Sequence, residues 1–408
     1  MTRRAEIAPI ARRRLARRIA ETEPVLMRRR EVARKILLSI HRMIGLFGGA
    51  VFVVVALSGG LLAFREDIDE WLNAPMMRVD PPAEATARTL DEMFAAAIAA
   101  MPPDAKPERL TTPRHARAAA AINYLVETDD LETDVHQIFV DPYRAKVTGQ
   151  RLLLHGEDQL SQPFVPILMA FHWTLLLGVA NAFLIGALGV AVFVSILIGL
   201  FLWRPRNGDW RLGLKIKWGA SQERIAYDAH RSVGLYFSAI LLVTLLTGVA
   251  MIFKPMTRAA TSLFSPVRAE PDFGRSSIDA GAAPIGLDAA VAAADKALPG
   301  GRLHWILLPS GPEGVYVVGK QSDDEPNRTK TYRNAGVDQY SGRILQVQDR
   351  GDFSAGERVL EWLFPLHSGE AFGVIGRPLM LLVGAAPLVL FATGVLRWRQ
   401  KRARKRPS

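Results

Sequence analysis

The stretch His41-Arg-Met-Ile-Gly-Leu46, which opens a long apolar run, decides how this chain is organised. The same pattern returns as His230-Arg-Ser-Val-Gly-Leu235, and a second long apolar run follows it. In both copies a glycine lies 18 residues after the histidine, at Gly59 and at Gly248. Because a matched internal repeat restricts the possible folds strongly, we expect two copies of one structural unit.

Four apolar windows are long enough to cross a bilayer, which requires about 20 apolar residues in a helix. They cover residues 36–64, 178–203, 232–253 and 377–396. Buried helices of a large soluble protein are the competing interpretation, but such long apolar runs fit it poorly. The 408-residue chain has no cysteine, which excludes disulfides, thiolate metal sites, iron–sulfur clusters and covalent c-type haem attachment.

Basic residues are concentrated beside the apolar windows on one predicted side of the membrane. Residues 1–35 hold 12 Lys or Arg, residues 204–229 hold six basic and three acidic residues, and seven Lys or Arg follow from Arg397. Cytoplasmic segments carry such an excess, so we predict cytoplasmic termini and place the folded regions 65–163 and 254–366 outside. The net charge of +11 therefore indicates membrane topology and anionic lipid rather than nucleic acid.

The two folded regions share one pattern, an amphipathic helix followed by short strands and a turn that contains aspartate. The predicted elements are a helix over 89–101 with strands over 121–127, 135–140 and 146–154, and a helix over 287–298 with strands over 303–308 and 315–319. The turns are Asp141-Pro-Tyr143 and Val337-Asp-Gln-Tyr-Ser-Gly342. We therefore predict an α-helical membrane protein, a four-helix transmembrane bundle built from a duplicated unit with two small α+β domains.

The chain then divides into segments that alternate between membrane and solvent. They are a basic N-terminal segment (1–35), the first span (36–64), the first α+β domain (65–163), a membrane approach with the second span (164–203), a basic loop (204–229), the third span (230–253), the second α+β domain (254–366), an approach with the fourth span (367–398) and a basic tail (399–408).

Four of the eight histidines lie at equivalent places in the two repeats, at the edges of predicted spans. They are His41, His172, His230 and His367, and His172 and His367 each precede a glycine, Gly199 and Gly394, by 27 residues. A single histidine at a membrane edge is commonly an interfacial polar residue. Four at duplicated positions favour a function, because ionisable groups near a membrane are costly.

The predicted topology sorts these histidines into two pairs. His41 and His230 lie near the cytoplasmic side, whereas His172 and His367 lie near the outer side. Symmetric halves of the bundle would bring the members of each pair face to face. Two neutral imidazoles on opposing helices form a ligand set for a six-coordinate b-type haem, so the chain is expected to bind two such haems.

Small and basic residues next to the cytoplasmic-side histidines fit this interpretation. Gly45 and Gly234 follow them by one turn and would admit a flat macrocycle, although glycines also serve helix packing in membranes. Arg42 and Arg231 follow them directly and are candidates to bind haem propionates, since arginine pairs well with carboxylates. The alternative is that both arginines only extend to the membrane surface.

The 18 residues from His41 to Gly59 correspond to roughly 27 Å of helix. The two predicted sites are therefore separated across much of the bilayer. Two haems bound there would carry electrons from one side of the membrane to the other. Zinc or copper on the histidine pairs is the alternative, but no carboxylate or thiolate stands at a matching position to complete such a site.

At these residues the chain resembles the PepSY-associated transmembrane family. The resemblance covers about residues 36–400 and rests on His41-Arg42-x-x-Gly45-Leu46 with its repeat at 230–235, the two aspartate turns, Phe171-His172-x-x-Leu175-x-x-Gly178 and Trp203-Arg-Pro-Arg206. This chain departs from the family pattern where Arg144-Ala145 replaces the usual Thr-Gly of the first turn. His367-Ser-Gly is also less typical than Phe171-His172-Trp-Thr.

Members similar to this chain include ferric-siderophore reductases of the bacterial inner membrane, in which four histidines bind two b-type haems. The resemblance thus implies an oxidoreductase that passes electrons across that membrane to a periplasmic acceptor, a ferric siderophore, for iron release. Reduction loosens such a chelate, because hard oxygen donors favour the trivalent ion. Since the sequence has no Gly-rich dinucleotide motif, the expected electron donor is external, either a quinol or a cytoplasmic flavoprotein.

Two other functions stay open at this point. The first is a non-catalytic membrane protein whose PepSY domains bind peptides or a protease in the periplasm, which would not need histidines at both membrane faces. The second is a transporter with a parallel repeat. Broken spans and buried acids are not expected, because Glu66, Asp228 and Glu370 are predicted to lie at the ends of spans.

Overall fold

The structure is a computed structural model that describes residues 28–84, 86–128, 133–156, 158, 160–203, 214–278 and 281–404. The predicted basic segments at both ends and the 204–229 loop lie partly outside these residues. The chain divides into two compact units. Unit 1 contains the described parts of Met1–Val54, Ala187–Leu246 and Ala385–Ser408, and unit 2 contains those of Val55–Gly186 and Thr247–Gly384.

The described helices and strands alternate in two similar series along the chain. The helices are α1 (Arg28–Leu62), α2 (Arg65–Leu72), α3 (Ala74–Met77), α4 (Leu90–Ile98), α5 (Phe164–Thr174), α6 (Ala182–Trp203), α7 (Gln222–Ile252), α8 (Lys254–Ser262), α9 (Leu287–Ala297), α10 (Ala355–Ser368) and α11 (Gly376–Ala403). The strands are β1 (Lys106–Thr111), β2 (Ala120–Glu127), β3 (Thr133–Asp141), β4 (Lys146–His155), β5 (Arg302–Leu307), β6 (Val315–Gln321), β7 (Arg333–Asp338) and β8 (Ile344–Gln348).

Within the described residues, four helical segments are long and apolar enough to cross a membrane, and each covers most or all of one predicted apolar window. They are Arg28–Leu62, Val179–Trp203, Gln222–Ile252 and Ala355–Ala403. Large apolar side chains on all four are more than half exposed, among them Phe47, Phe183, Leu246 and Leu382. Exposed apolar surface of this kind marks contact with a membrane or a partner, and together with the helix lengths it identifies a membrane protein.

The strands form one antiparallel sheet in the order β4-β3-β2-β1-β5-β6-β7-β8. The two halves join where β1 pairs with β5, with Arg109 opposite Leu307 and Thr111 opposite Trp305. The strands of the two predicted domains therefore share a single eight-stranded sheet, which the sequence did not indicate. Five of these strands agree with the predicted ones to within two residues, whereas β1, β7 and β8 were not predicted.

One hydrophobic core lies between this sheet and the helices α4 and α9. Along β2 the alternate residues Ala120, Ile122 and Tyr124 are buried, as expected for a strand with one covered face. Met93 of α4 and Leu287 of α9 are buried in the same core. Both amphipathic helices therefore pack as their periodicity predicted.

The helices α4 and α9 cap each other at their N-termini. The Asp288 carboxylate accepts hydrogen bonds from the backbone amides of Leu90 at 3.1 Å and Asp91 at 3.0 Å. The Asp91 carboxylate accepts in return from Leu287 at 2.6 Å. Each aspartate thus satisfies amides that have no partner within their own helix. Burial, together with the neighbouring Asp288 carboxyl group, raises the pKa of Asp91.

The two predicted aspartate turns are built in the same way. Asp141 accepts from the Tyr143 amide at 2.8 Å, and Asp338 accepts from the Tyr340 amide at 3.0 Å. Each turn then needs a left-handed residue, which is Gly342 in the second turn with a φ of 69°. In the first turn Ala145 takes this conformation with a φ of 47°, so the departure from the family pattern leaves the backbone shape intact.

Candidate functional site

The structure brings the four predicted histidines together as two pairs. His41 of α1 and His230 of α7 lie in unit 1, with ring centroids 6.2 Å apart and an interplanar angle of 84°. His172 of α5 and His367 of α10 lie in unit 2, with centroids 6.1 Å apart and an angle of 54°. These are the partners that the topology favoured, and we call them the first and the second histidine pair.

A backbone carbonyl group of a neighbouring helix orients three of the four imidazole rings. The Nδ1 atoms lie 2.9 Å from the Ser195 oxygen for His41, 2.9 Å from the Val55 oxygen for His172 and 3.0 Å from the Leu390 oxygen for His230. A carbonyl oxygen can only accept a hydrogen bond, so Nδ1 carries the proton in each of these rings. In the neutral ring the lone pair is then on Nε2, which is free to bind a metal.

A hydroxyl group also lies beside each Nδ1 atom. The distances are 2.9 Å for Ser195 and His41, 3.2 Å for Ser58 and His172, 3.0 Å for Thr393 and His230, and 3.4 Å for Thr247 and His367. Polar groups at this position fix the ring orientation and raise the basicity of the other nitrogen. These hydroxyl residues were not predicted from the sequence, although three of them directly precede a repeated glycine.

A glycine on a neighbouring helix lies against each histidine ring. A Cβ atom added at Gly59 would lie 2.6 Å from His172 Cε1, and one at Gly248 would lie 2.7 Å from His367 Cε1. The corresponding distances are 3.1 Å from Gly199 to His41 and 3.6 Å from Gly394 to His230. These are the four glycines that the equal spacings identified. At Gly59, Gly199 and Gly248 a side chain would crowd the ring, whereas at Gly394 it would make an ordinary contact.

The glycine that follows His41 has no such neighbour. A Cβ atom at Gly45 would have no atom within 4 Å, and one at Gly234 would make only an ordinary contact with Leu390 at 3.6 Å. Packing within the described chain therefore does not require glycine at either position. Gly45 also lies in the π-helical segment Ile44–Gly48, and π-helical turns are frequent at functional sites.

The backbone is strained directly after His172. Leu175 and Leu176 both take left-handed conformations, with φ of 56° and 60°. After His367 the left-handed position is occupied by Gly369, with a φ of 85°. A left-handed residue other than glycine costs roughly 1–2 kcal/mol, so the turn after His172 is the less favourable of the two.

The two arginines predicted to bind propionates have different surroundings. Arg42 is exposed and makes no hydrogen bond or ion pair with the part of the chain that the structure describes. Arg231 is half-buried; its Nη2 lies 3.3 Å from an Asp228 carboxylate oxygen and its guanidinium group 5.2 Å from the Tyr227 ring. Arg397, which was predicted only as the start of a basic cytoplasmic run, lies over the same ring at 4.3 Å.

Asp228 lies near the N-terminal end of the third span, as predicted, but it is buried, which was not expected. It is in the second turn of α7, and its side chain is only 1% exposed. Its carboxylate accepts hydrogen bonds from the Lys217 amide at 3.3 Å and from Arg224 at 2.9 Å. A buried acid is therefore present in unit 1, and ion pairs on its own helix compensate its charge.

A second buried acid, Glu70 of α2, lines a cavity of about 410 Å³ in unit 2. Its carboxylate accepts hydrogen bonds from Arg78 at 2.7 Å, Arg114 at 2.7 Å and His115 at 2.9 Å. Burial alone would raise the pKa of Glu70, but these hydrogen bonds lower it to about 2. Within the described ranges, no three His, Cys, Asp or Glu side chains converge as a metal site would need.

The repeated histidines and turns, and most of each long apolar helix, fall inside the region that one known family shares with this chain. The family model of the PepSY-associated TM region matches residues 38–401. The chain belongs to the PepSY-associated transmembrane family. No curated protein sequence matches it. Family membership agrees with the four apolar helices, and the match includes all four histidines.

Proposed function

We propose that this PepSY-associated membrane protein is a reductase that holds two b-type haems, one on each histidine pair. It passes electrons across the bacterial inner membrane to a periplasmic acceptor, a ferric siderophore, and so releases the iron. The single observation that carries the proposal is the geometry of the two pairs, with imidazole rings 6.2 and 6.1 Å apart.

This spacing fits one metal ion between the two rings of a pair. Two metal–nitrogen bonds of about 2.0–2.1 Å each separate two ligating nitrogens by about 4 Å and the ring centres by about 6 Å. The chemistry of the donors agrees, because neutral imidazoles with an oriented Nδ1 proton present Nε2 as the ligand. The open space beside Gly45 supports a flat group next to the first pair.

The role of the chain's own residues follows from these contacts. A bound haem would supply one-electron chemistry, whereas the two histidine pairs would hold it and their surroundings would adjust its properties. The carbonyl groups at Nδ1 hold the His41, His172 and His230 rings in one tautomer and make their Nε2 atoms more basic. Gly59, Gly199 and Gly248 let a ring approach the neighbouring helix closely. For His41 and His172 the Nδ1 atom then reaches a carbonyl group. No side chain is proposed to act as an acid or a base.

We infer that the two series of helix and strands are a duplicated unit, that the termini are cytoplasmic and that the sheet is periplasmic. The repeated spacings and the distribution of basic residues support this arrangement. The electron donor would be a quinol or a separate cytoplasmic flavoprotein.

The experiment is an absorption spectrum of the full-length protein, purified in detergent from cells supplied with a haem precursor. We expect a low-spin b-type spectrum in the oxidised and dithionite-reduced states, with two haems per chain. Protein in vesicles with a reductant inside should then reduce a ferric siderophore outside. A colourless protein would overturn the reductase and favour the membrane protein that binds peptides or a protease.

A further inference from the structure

Two carboxyl groups are buried together in unit 2, beside the second half of the sheet. Glu325 lies in the loop that follows β6, Glu361 lies on α10, and each residue is 1% exposed. Burial raises the pKa of Glu325, and the charge of the neighbouring Glu361 carboxyl group raises it further. Because a carboxylate is costly away from water, two neighbouring buried ones need counter-ions, several donors or a proton.

Neutral donors alone contact the Glu325 carboxyl group. Its Oε1 accepts a hydrogen bond from the Ser322 amide at 3.1 Å, and its Oε2 accepts one from the side-chain amide of Gln321 at 3.0 Å. A further hydrogen bond joins it to the backbone of Tyr332. Glu325 makes no ion pair with any residue that the structure describes, although the charge of Arg350 favours its ionised form from a distance.

Glu361 has one close counter-ion, which it shares with another carboxylate. The Nε atom of Arg350 lies 2.5 Å from Glu361 Oε1, while Nη1 of Arg350 lies 2.8 Å from an Asp324 carboxylate oxygen. Arg358, one turn earlier on α10, also acts on Glu361 through its charge, but its side chain is exposed. One guanidinium group therefore contacts both Asp324 and Glu361, and none contacts Glu325.

Two buried oxygen atoms in this group have no hydrogen-bond partner among the described residues. They are Oε2 of Glu361 and Oε1 of Gln321, and both residues are 1% exposed. If Glu361 is ionised, both atoms are acceptors, and a buried acceptor without a donor is costly. A proton on Glu361 Oε2 would convert one of the two acceptors into a donor.

The other titratable group that faces the two acids is the phenol of Tyr332. Burial, and after it the charge of Glu361, raises the pKa of Tyr332 to about 12, so this group stays neutral. The first repeat has no matching acid, because the residue six before His172 is Pro166, whereas the residue six before His367 is Glu361. A structural need shared by both repeats therefore does not explain the buried acids.

We propose that Glu325 and Glu361 form a proton-binding site, which holds one proton on Glu361 Oε2 at neutral pH and fastens α10 to the second half of the sheet. The proton exchanges with solvent through a cavity of about 350 Å³ that Glu325, Asp324 and Arg350 help to line. The site does not depend on a bound haem, and it acts on the helix that carries His367.

The expected direction of the pH dependence follows from the site. The folded protein binds this proton more tightly than the unfolded chain does, because burial raises a carboxyl pKa. The resulting stabilisation is complete below the ordinary glutamate pKa of 4.5, and it is lost as the pH rises through the higher pKa of the folded site. Alkaline pH thus leaves two buried carboxylates beside one shared guanidinium group, and α10 is held less firmly.

The test is infrared difference spectroscopy of the full-length protein in detergent at neutral pH. A protonated carboxyl group has a C=O stretching band that shifts in D₂O and that a carboxylate lacks. Glu361→Gln should lose one such band per chain. Glu325→Gln should lose it as well, because Glu361 can ionise beside Arg350 once the neighbouring charge is removed. Glu313→Gln is the control and should lose none, since Glu313 and its partner Arg275 are solvent-exposed.

Thermal unfolding over a range of pH distinguishes this site from an ordinary ion pair. Glutamine imitates a protonated acid, so Glu361→Gln should melt at the same temperature as the unchanged protein at neutral pH. At alkaline pH it should lose less stability than Glu313→Gln. If both carboxyl groups are ionised, no band is lost and Glu361→Gln melts at a lower temperature at neutral pH, which overturns the proposal. If Glu361→Gln does not fold, the band in Glu325→Gln decides.

Discussion

The two histidine pairs have nearly equal ring spacings, 6.2 and 6.1 Å, but their immediate surroundings differ. In the second pair the glycines are tightly packed, with added Cβ atoms only 2.6 and 2.7 Å from the rings. In the first pair the same distances are 3.1 and 3.6 Å, and arginines lie one turn away. The second pair belongs to the unit that contains the sheet and the Glu70 cluster.

The comparison shows which features are the same in both repeats and which differ between them. Histidine, glycine and a hydroxyl or carbonyl group recur at both pairs because they define a ligand and its orientation. The tightness of packing and the nearby charges adjust the affinity for haem and its midpoint potential. These two features can therefore differ between two otherwise equivalent sites. Variants at each kind of position can therefore separate the shared features from the divergent ones.

The largest effect is expected from removing a ligand. Single His→Ala variants at 41, 172, 230 and 367 should each retain about one of two haems per chain, because one remaining imidazole leaves that site incomplete. The double variant at 41 and 230 should lose no more than either single one. Both expectations are tested by measuring the haem content per chain and by a redox titration. If variants of His41 and His172 removed the same spectral component, the assignment of two separate pairs would be wrong.

Acid should affect the second pair before the first. The pKa of Glu70 is lowered from 4.5 to about 2 in the folded protein. A lowered carboxyl pKa stabilises the folded state by about 3 kcal/mol above pH 4.5, and this contribution is lost as the pH falls from 4.5 towards 2. We expect the spectrum of the second pair to change first over this range in an acid titration.

Variants of two acidic residues in unit 2 test whether Glu70 causes the acid sensitivity of the second pair. Glu70→Gln should remove this part of the pH dependence while lowering the stability at neutral pH, since it leaves Arg78, Arg114 and His115 without their carboxylate. Asp80→Asn is the control, because its pair with Arg117 is solvent-exposed and such pairs contribute little. Equal acid profiles for Glu70→Gln and the unchanged protein would refute the explanation.

Alanine at the four ring-contacting glycines should give a graded response. Gly59→Ala and Gly248→Ala would force the second pair to move, and overpacking of this kind costs about 1–3 kcal/mol. Gly199→Ala should be milder, and Gly394→Ala should be tolerated, since its Cβ atom would lie at an ordinary 3.6 Å. Thermal unfolding and haem content measure the series. A uniform response would mean that the tightness of packing does not distinguish the pairs.

The smallest effect is expected from the hydroxyl groups. Ser58→Ala at the second pair and Thr393→Ala at the first should each lower stability by about 1 kcal/mol or less, because the carbonyl acceptors remain. Both should shift the midpoint potential of their own haem slightly, which a redox titration resolves. A loss of haem in either variant would show that the hydroxyl group, and not the carbonyl group, orients the ring.

Much of the candidate site could be predicted because its residues recur at equal spacings in the two halves of the sequence. Equal spacings in the sequence are sufficient to single out the four histidines and the four glycines that contact their rings. Arg397 was not selected as a site residue, because it has no counterpart in the first repeat. The burial of Asp228 was missed because its compensating partners, Arg224 and Arg231, are apparent only when the helical faces are known.

Most of the local structure was also predictable. Apolar length determined the four membrane helices, and alternation determined β2, β3 and β4. The missed strands carry weaker signals: β7 contains Asn334 and Gly336, and β8 is only five residues long. Glycine has a low preference for strands, so these segments acquire strand structure mainly from their neighbours in the sheet.

By itself, the sequence determined the membrane class, the number of candidate membrane-spanning helices, the duplicated spacings and the identity of the paired histidines. These properties follow from local composition and from regular spacing along a helix. The tertiary structure alone decided that β1 joins β5, that Asp91 and Asp288 cap each other's helices and that Arg397 reaches Tyr227. The reason is physical: such contacts join residues far apart in the chain, and only the packing of whole elements brings them within bonding distance.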